Sequence, residues 1–127
     1  MTTLDRNKQT VIDFINQSFN DKQPAAAVAT YVGAEYIQHD PQSPDGAAAF
    51  IQMATGFAGH FPQLHIDIKR VIAEGDLVAA HILIQMTPES SGMAGVEIYR
   101  LDDGKIVEHW NVLQPVPEQS ANDNTMF

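Results

Sequence analysis

The 127-residue sequence lacks cysteine, and it lacks any apolar run near the roughly 20 residues that a membrane-spanning helix needs. Disulfides and catalytic thiols are therefore excluded. No basic segment followed by an apolar one opens the chain, so we expect a cytoplasmic protein that does not bind a membrane.

Positive charge is scarce as well. Seven Lys and Arg residues stand against sixteen Asp and Glu residues, which gives a formal net charge of −9. The few cations are scattered along the chain, whereas nucleic acids and anionic membrane surfaces bind clustered Lys and Arg. Neither is therefore expected as a partner.

The chain has no Pro/Gly/Ser-rich linker, internal repeat or low-complexity segment, so it is predicted to form one domain. We place the core of that domain at residues 1–115 and a C-terminal tail at residues 116–127. A chain of this size buries one substantial core, and a ligand cavity must share that core. One pocket is the most to expect.

Hydrophobic periodicity predicts helices in the first half and strands in the second. Helices are predicted at about residues 4–19, 24–33 and 47–57, and strands at about residues 64–72, 77–86, 96–101 and 105–114. Residues 35–41 look extended. Three helices followed by a largely antiparallel sheet of about four strands make an α+β fold with the helices on one side.

The segment Lys105–Gln114 is the most informative stretch, because it carries ionisable and amide groups within a β-branched and aromatic run. Something polar is being kept inside the fold. Side chains alternate along a strand, so His109 and Asn111 share one face while Glu108 and Trp110 share the other.

The turn before this strand decides which residues of the preceding strand share each face. A three-residue turn with a bulge at Asp102–Gly104 pairs Glu97 with His109 and places Tyr99 on the same face. A two-residue Asp-Gly turn would instead group Glu97 with Glu108. We prefer the first register on loop chemistry, and the second stays open.

Several segments resemble a known family. Tyr36–Pro41, Val71–Asp76 and Asp103–Trp110 are similar to the SnoaL-like polyketide cyclases of the nuclear-transport-factor-2-like superfamily, and the similarity spans nearly the whole chain. The ending Val116–Phe127 resembles that of a bacterial subgroup described as predicted aldol-condensation enzymes. The resemblance implies a cone-shaped roll, in which a curved sheet of about four to six strands wraps around the helices and a pocket opens between them. It also implies a homodimer through the sheet.

For function, the resemblance implies that a carboxylate in the pocket acts as acid and base on an enolisable carbon. Family members often carry aspartate at the position of Asn111, directly after Trp110. An amide cannot accept and return a proton at neutral pH. This chain has therefore lost that group or moved its task to a neighbour.

Three residues are the candidates for catalysis, and each has a structural alternative. His109 is a possible base or a histidine hydrogen-bonded within the sheet. Glu97 is a possible base or one half of a cross-strand pair with His109. His39 precedes Asp40-Pro41 at the expected rim of the pocket, where it either contacts a ligand or only helps to form a turn.

The candidates for binding the substrate are polar groups on strands and apolar walls. Tyr99 or Asn111 is expected to donate a hydrogen bond to a developing enolate, unless Tyr99 only packs. His81 stands alone in an apolar strand, as a pocket group or a satisfied core histidine. The full set is His81, Tyr99, Asn111, Phe50, Phe57 and Leu83. Arg100 and Glu108 are predicted to form a structural ion pair.

No metal or cofactor is expected. His39, His81 and His109 lack the spacing of a ligand motif, and no glycine-rich phosphate loop or Ser-His-Asp pattern is present. Two hypotheses remain. The first is an enzyme that moves a proton on an enolisable carbonyl compound without a cofactor. The second is a homodimeric protein that binds a small apolar-to-amphipathic ligand without chemistry.

Overall fold

A computed structural model describes the whole chain from Met1 to Phe127. Its helices are α1 (Thr3–Ile15), which continues into a π-helical turn (Asn16–Asn20), α2 (Pro24–Tyr31) and α3 (Ala47–His60). Its strands are β1 (Val32–Gln38), β2 (His65–Glu74), β3 (Leu77–Gln85), β4 (Met93–Asp102) and β5 (Lys105–Pro115). The three predicted helices and four predicted strands are present, and β1 is a fifth strand in the segment that looked only extended.

The five strands form one sheet in the order β1-β5-β4-β3-β2. The pairs β5–β4, β4–β3 and β3–β2 are antiparallel, whereas β1 lies parallel to β5. The helices cover one face of this sheet, which confirms the predicted α+β class. None of the helices is both long enough and apolar enough to cross a membrane.

Helix α1 begins at a capping box, in which the Thr2 hydroxyl accepts a hydrogen bond from the Asp5 backbone N–H at 3.1 Å and the Asp5 carboxylate accepts one from the Thr2 backbone N–H. Its apolar stripe then packs into the core. Phe14 is fully buried, with its ring centroid 5.2 Å from that of Phe50 and 5.9 Å from that of Tyr99. The helix thereby supports a strand residue that lines the cavity described below.

Asn20, at the end of the π-helical turn, joins the helical layer to β2, which is an edge strand of the sheet. Its Nδ2 donates to the Ile66 carbonyl at 2.9 Å, and its Oδ1 accepts from the Ile66 N–H at 2.8 Å. These two bonds satisfy backbone groups that an edge strand otherwise leaves open.

The turn between β4 and β5 differs from the predicted one. Asp103 and Gly104 both have positive φ, at 48° and 77°, and Asp102 pairs with Lys105. Positive φ at both central residues is the requirement of a two-residue type I′ turn, which aspartate and glycine tolerate best. The prediction of a three-residue turn is therefore wrong.

A bulge at Val107 then shifts the register by one residue. Leu101 pairs with Ile106, but Arg100 pairs with Glu108, so Val107 has no partner on β4. The pairing predicted between Glu97 and His109 is therefore also wrong.

Tyr99 pairs with His109, and Glu97 pairs with Asn111. A shift by one residue exchanges the two faces of a strand. The bulge thus keeps Glu97, Tyr99, His109 and Asn111 on the helix-covered face, although the turn and the pairs differ from the prediction.

The opposite face of the sheet is open to water and partly apolar. Val112 is 72% exposed and Ile72 is 64% exposed. The C-terminal tail ends on this face, where the Phe127 ring stacks on His81 with centroids 5.7 Å apart and the Lys69 Nζ lies 5.4 Å from the same ring.

We expect Phe14→Ala to lower the free energy of unfolding by ~3–5 kcal/mol, because it removes a fully buried ring and leaves a cavity. Urea denaturation followed by circular dichroism measures the change. Leu4→Ala in the same helix is the control, since Leu4 is 39% exposed, and it should stay within ~0.5 kcal/mol of wild type. Equal effects of the two substitutions would contradict the packing described for α1.

Candidate functional site

A cavity of about 280 Å³ lies between the helices and the sheet, and most of its wall is apolar. The apolar part consists of Phe19, Phe50, Met53, Phe57, Leu64, Ile66, Ile84, Met86, Met93, Tyr99 and Leu113. The polar part consists of Gln38, Asp40, Gln42, Ser43, Glu97, His109 and Asn111. An apolar chamber with a few converging polar groups is the usual form of a small-molecule site.

A hydrogen-bonded pair of ionisable groups forms part of this wall. The Glu97 Oε2 lies 2.5 Å from the His109 Nε2, and the two residues are only 8% and 6% exposed. Burying either group alone would be costly, because neither could keep the hydrogen bonds that water provides. Each therefore stabilises the other inside the wall of the cavity.

Strand β1 supplies the second partner of the histidine. Gln38 stands beside His109 in the parallel β1–β5 register, and the His109 Nδ1 lies 2.6 Å from the Gln38 Oε1. The same oxygen accepts a hydrogen bond from the Asp40 N–H at 3.1 Å. Both nitrogens of the His109 ring are thus engaged.

Two tyrosines flank the histidine ring. The Tyr99 ring centroid lies 4.8 Å from that of His109, and Tyr36 stacks on His109 at 6.2 Å with an angle of 12° between the planes. Burial, and after it the charge of Glu97, raises the pKa of the Tyr99 phenol well above its usual value, and the same causes raise the pKa of Tyr36. Both phenols therefore stay protonated and keep a hydrogen to donate.

A second carboxylate, Asp40, stands on the cavity wall beside Asn111. The Asn111 Nδ2 donates to the Asp40 Oδ2 at 3.2 Å, and the Ser43 hydroxyl donates to the same oxygen at 3.3 Å. The Asp40 Oδ1 accepts from the Gln42 N–H at 2.9 Å. A carboxylate thus adjoins position 111, although that position itself carries an amide.

The structure brings together six of the nine residues named from the sequence: Glu97, Tyr99, His109, Asn111, Phe50 and Phe57 all line the cavity. Sequence reasoning missed Gln38 and Asp40. Alternation was the available signal, since residues 38 and 40 share one face of an extended segment and His39 takes the other.

The placement of His39 at the cavity is corrected. Its ring stacks on Trp110 on the outer face of the sheet, with centroids 4.8 Å apart and 3° between the planes. Its Nε2 lies 2.7 Å from the Glu108 Oε2. Its neighbours Gln38 and Asp40 line the cavity, so the alternation of side chains places His39 on the outer face.

The placements of His81 and Leu83 are corrected for the same reason. The inward positions of β3 are even-numbered, and Ile82 and Ile84 fill them, so the odd-numbered residues face outward. His81 does find the partners that a lone strand histidine needs, because it contacts the Arg70 guanidinium and stacks on Phe127.

The ion pair predicted between Arg100 and Glu108 is present on the outer face, with 2.7 Å between the Arg100 Nε and the Glu108 Oε1. The hydrogen bond from Arg100, followed by that from His39, lowers the pKa of Glu108. The structure contains no group of three or more His, Asp or Glu side chains arranged to hold a metal ion.

A model of the SnoaL-like polyketide cyclase family matches residues 9–117 of this chain. Among curated proteins, none matches it in sequence. The family match confirms the resemblance noted in the sequence.

Solved structures share the fold at low sequence identity. A proposed polyketide cyclase from Acidithiobacillus ferrooxidans is 22% identical with a TM-score of 0.72, and the match covers 89% of this chain and 91% of that one. AclR, a proposed hydroxylase from Streptomyces galilaeus, is 22% identical with a TM-score of 0.70, covering 88% and 91%. A SnoaL-like protein from Jannaschia sp. CCS1 is 19% identical with a TM-score of 0.71, covering 89% of each chain. At these identities the likeness shows the fold, and the expected cone-shaped arrangement is confirmed.

The Glu108 ion pairs predict a pH dependence of stability. A carboxyl whose pKa is lowered by folding stabilises the protein above its unfolded pKa of about 4.3, and this contribution is lost as the pH falls through the lower folded value. We therefore expect the stability difference between wild type and Glu108→Gln to be present at pH 6 and to shrink at acidic pH in urea titrations. Because the pair lies on the outer face of the sheet and is only partly buried, salt should also reduce this stability difference. Glu89→Gln, on an exposed loop, is the control, and a pH-independent difference for Glu108→Gln would contradict the assignment.

Proposed function

The chain belongs to the SnoaL-like polyketide cyclase family, and from that membership we propose that its cavity carries out acid/base chemistry on an enolisable carbonyl compound. The chemistry is of the aldol, cyclase or isomerase type and needs no cofactor. The observation that carries the proposal is the Glu97–His109 pair, which is buried at the wall of a largely apolar cavity.

Removing a proton next to a carbonyl needs a base and a donor for the oxygen that becomes negative. The Glu97–His109 pair supplies the proton-handling groups. Tyr99 supplies the donor, because its raised pKa keeps the phenol protonated beside the pair. Asp40, held by Asn111, adds a second carboxylate to the polar side of the cavity.

The charge of the cavity favours a neutral ligand. Asp40, Glu97 and His109 are the ionisable residues of its wall besides Tyr99, and neither lysine nor arginine lines it. A ligand carboxylate would lose water without gaining a cation and would stand near two acidic side chains. We therefore propose a neutral ketone or ester that is largely apolar.

Deuterium incorporation at the α-carbon of neutral β-keto esters tests the catalytic proposal. Wild type should accelerate the incorporation, which NMR detects, and Glu97→Gln should slow it by roughly 10²–10⁴-fold, since the amide keeps the shape but cannot take a proton. Glu74→Gln on the outer face is the matched control and should behave as wild type. The free β-keto acids should bind more weakly than their esters. Full activity of Glu97→Gln would contradict the role of that carboxylate.

A non-catalytic binding protein is the second candidate, and Asn111 is the observation that favours it. An amide cannot exchange a proton at neutral pH, whereas an apolar wall with a few donors is sufficient to bind a ligand. Esters that bind to wild type without any accelerated incorporation would establish this candidate in place of the enzyme.

We also propose that the protein forms a homodimer through the outer face of its sheet. Neighbouring strands place Ile72, Ala79, Ile98 and Trp110 in one cross-strand row, and Val112 lies beside it with 72% exposure. An apolar sheet face of this kind is stabilised by a partner, and a second copy offers the same surface.

Val112→Lys should convert the dimer into a monomer in light scattering at micromolar concentration, because it places a charge beside the apolar row, on the face that the two copies would share. Leu4→Lys is the control and should leave the dimer intact. Leu4 is exposed on α1, which belongs to the helical layer on the other side of the sheet. A wild-type protein that is already monomeric under these conditions would rule out the proposed interface.

A further inference from the structure

We infer that the Glu97 carboxylate takes the proton from the substrate. His109 and Gln38 are positioning residues, which hold another proton at the Oε2 atom of that carboxylate. This inference rests on the proposed function, and it assigns proton transfer to Glu97 and positioning to His109. It follows from the hydrogen bonds that each atom is able to make.

The first step concerns the Gln38 side chain. The backbone N–H of Asp40 is only a donor, and it points at one terminal atom of the Gln38 amide at 3.1 Å. That atom must therefore be the amide oxygen, because the amide NH₂ group cannot accept. The orientation of the Gln38 side chain is thus set by the backbone beside it.

The second step concerns the Nδ1 atom of His109, which lies 2.6 Å from the same oxygen. An amide oxygen cannot donate, so the hydrogen between these two atoms belongs to Nδ1. The neutral tautomer with hydrogen on Nε2 alone would place two lone pairs against each other at this distance. Gln38 therefore excludes that tautomer.

The third step concerns the contact of 2.5 Å between the His109 Nε2 and the Glu97 Oε2. With Nδ1 already protonated, one further proton joins these two atoms. It lies on Nε2, which makes a carboxylate and an imidazolium, or on Oε2, which makes two neutral groups. The Tyr99 ring, whose centroid lies 4.8 Å from that of His109, favours the imidazolium, because aromatic rings attract cations.

The fourth step identifies the atom that is open to a ligand. Both nitrogens of His109 are occupied by Gln38 and Glu97, so the ring cannot meet a substrate without breaking one of these bonds. The hydrogen bond with His109 occupies only the Oε2 atom of Glu97, and Glu97 lines the cavity. The remaining oxygen, Oε1, is therefore the atom that handles the substrate proton.

The proton transfer is balanced as follows. The Glu97 Oε1 takes the α-hydrogen as a proton, the C–H bond breaks, and its electron pair moves into the carbonyl group to form an enolate. The Tyr99 hydroxyl donates a hydrogen bond to the enolate oxygen. His109 stays protonated and bonded to Oε2 throughout, and Glu97 then returns the proton to the carbon framework.

The first test locates the protons in the ligand-free protein. NMR of ¹⁵N-histidine-labelled wild type at neutral pH should show a proton covalently attached to the Nδ1 atom of His109. In Gln38→Leu the proton should no longer be held on Nδ1, because the Gln38 oxygen that accepts its hydrogen bond is gone. Gln42→Leu is the matched control, since Gln42 lines the same cavity but has no hydrogen bond to the His109 ring, and this variant should retain the wild-type signal. An unprotonated Nδ1 in wild type would overturn the inference.

The second test separates positioning from proton transfer by deuterium incorporation into β-keto esters. A glutamine at position 109 keeps an N–H donor for the Glu97 Oε2. The rate of incorporation should therefore fall only about tenfold in His109→Gln, which is the effect of one altered hydrogen bond. His109→Leu should lose far more, and Glu97→Gln should lose roughly 10²–10⁴-fold. If His109 were the base, His109→Gln would be as inactive as Glu97→Gln, and the inference would be overturned.

The two tests keep this inference distinct from the proposed function. No incorporation by wild type, with esters shown to bind, would overturn the proposed function and with it the catalytic role given to Glu97. The NMR spectra need no substrate and no variant of His109, so they decide the position of the proton even if the His109 variants fail to fold.

Discussion

The site depends on the cost of burying two ionisable groups. Glu97 and His109 are almost completely shielded from water, and each buried polar atom must find its partner within the protein. Three neighbouring strands meet this requirement, since β4 carries Glu97, β5 carries His109 and β1 carries Gln38. The parallel pairing of β1 with β5 is therefore as important to the site as the hairpin that joins Glu97 to His109.

The bulge at Val107 is the second requirement, because a strand offers each face to every other residue. Continuing the two-residue turn without a bulge would pair Tyr99 with Glu108 and direct Glu108 into the cavity. Because Val107 is unpaired, the two faces of β5 are exchanged. His109 therefore points into the cavity, while Glu108 forms an ion pair with Arg100 on the outer face. One backbone irregularity thus divides the titratable groups between the cavity and an outer face of ion pairs.

The two faces differ in their charge as well as in their exposure. No lysine or arginine lines the cavity, so a negative charge formed there would depend on uncharged donors such as the Tyr99 phenol. The outer face holds Arg100, with Glu108 and His39 next to an apolar row. This division matches a protein that handles a neutral molecule inside and joins another copy of itself outside, as we propose.

Local patterns in the sequence were sufficient for the three helices, four of the strands and the α+β class, because periodicity and turn residues are properties of neighbouring positions. They also marked Glu97 and His109, since polar residues in an apolar strand require a reason. The tertiary structure alone decided that β1 pairs with β5, and so brought Gln38 to His109 across 71 positions of the chain. It likewise decided that His39 and His81 face outward, because alternation defines two faces of a strand but does not say which one the helices will cover.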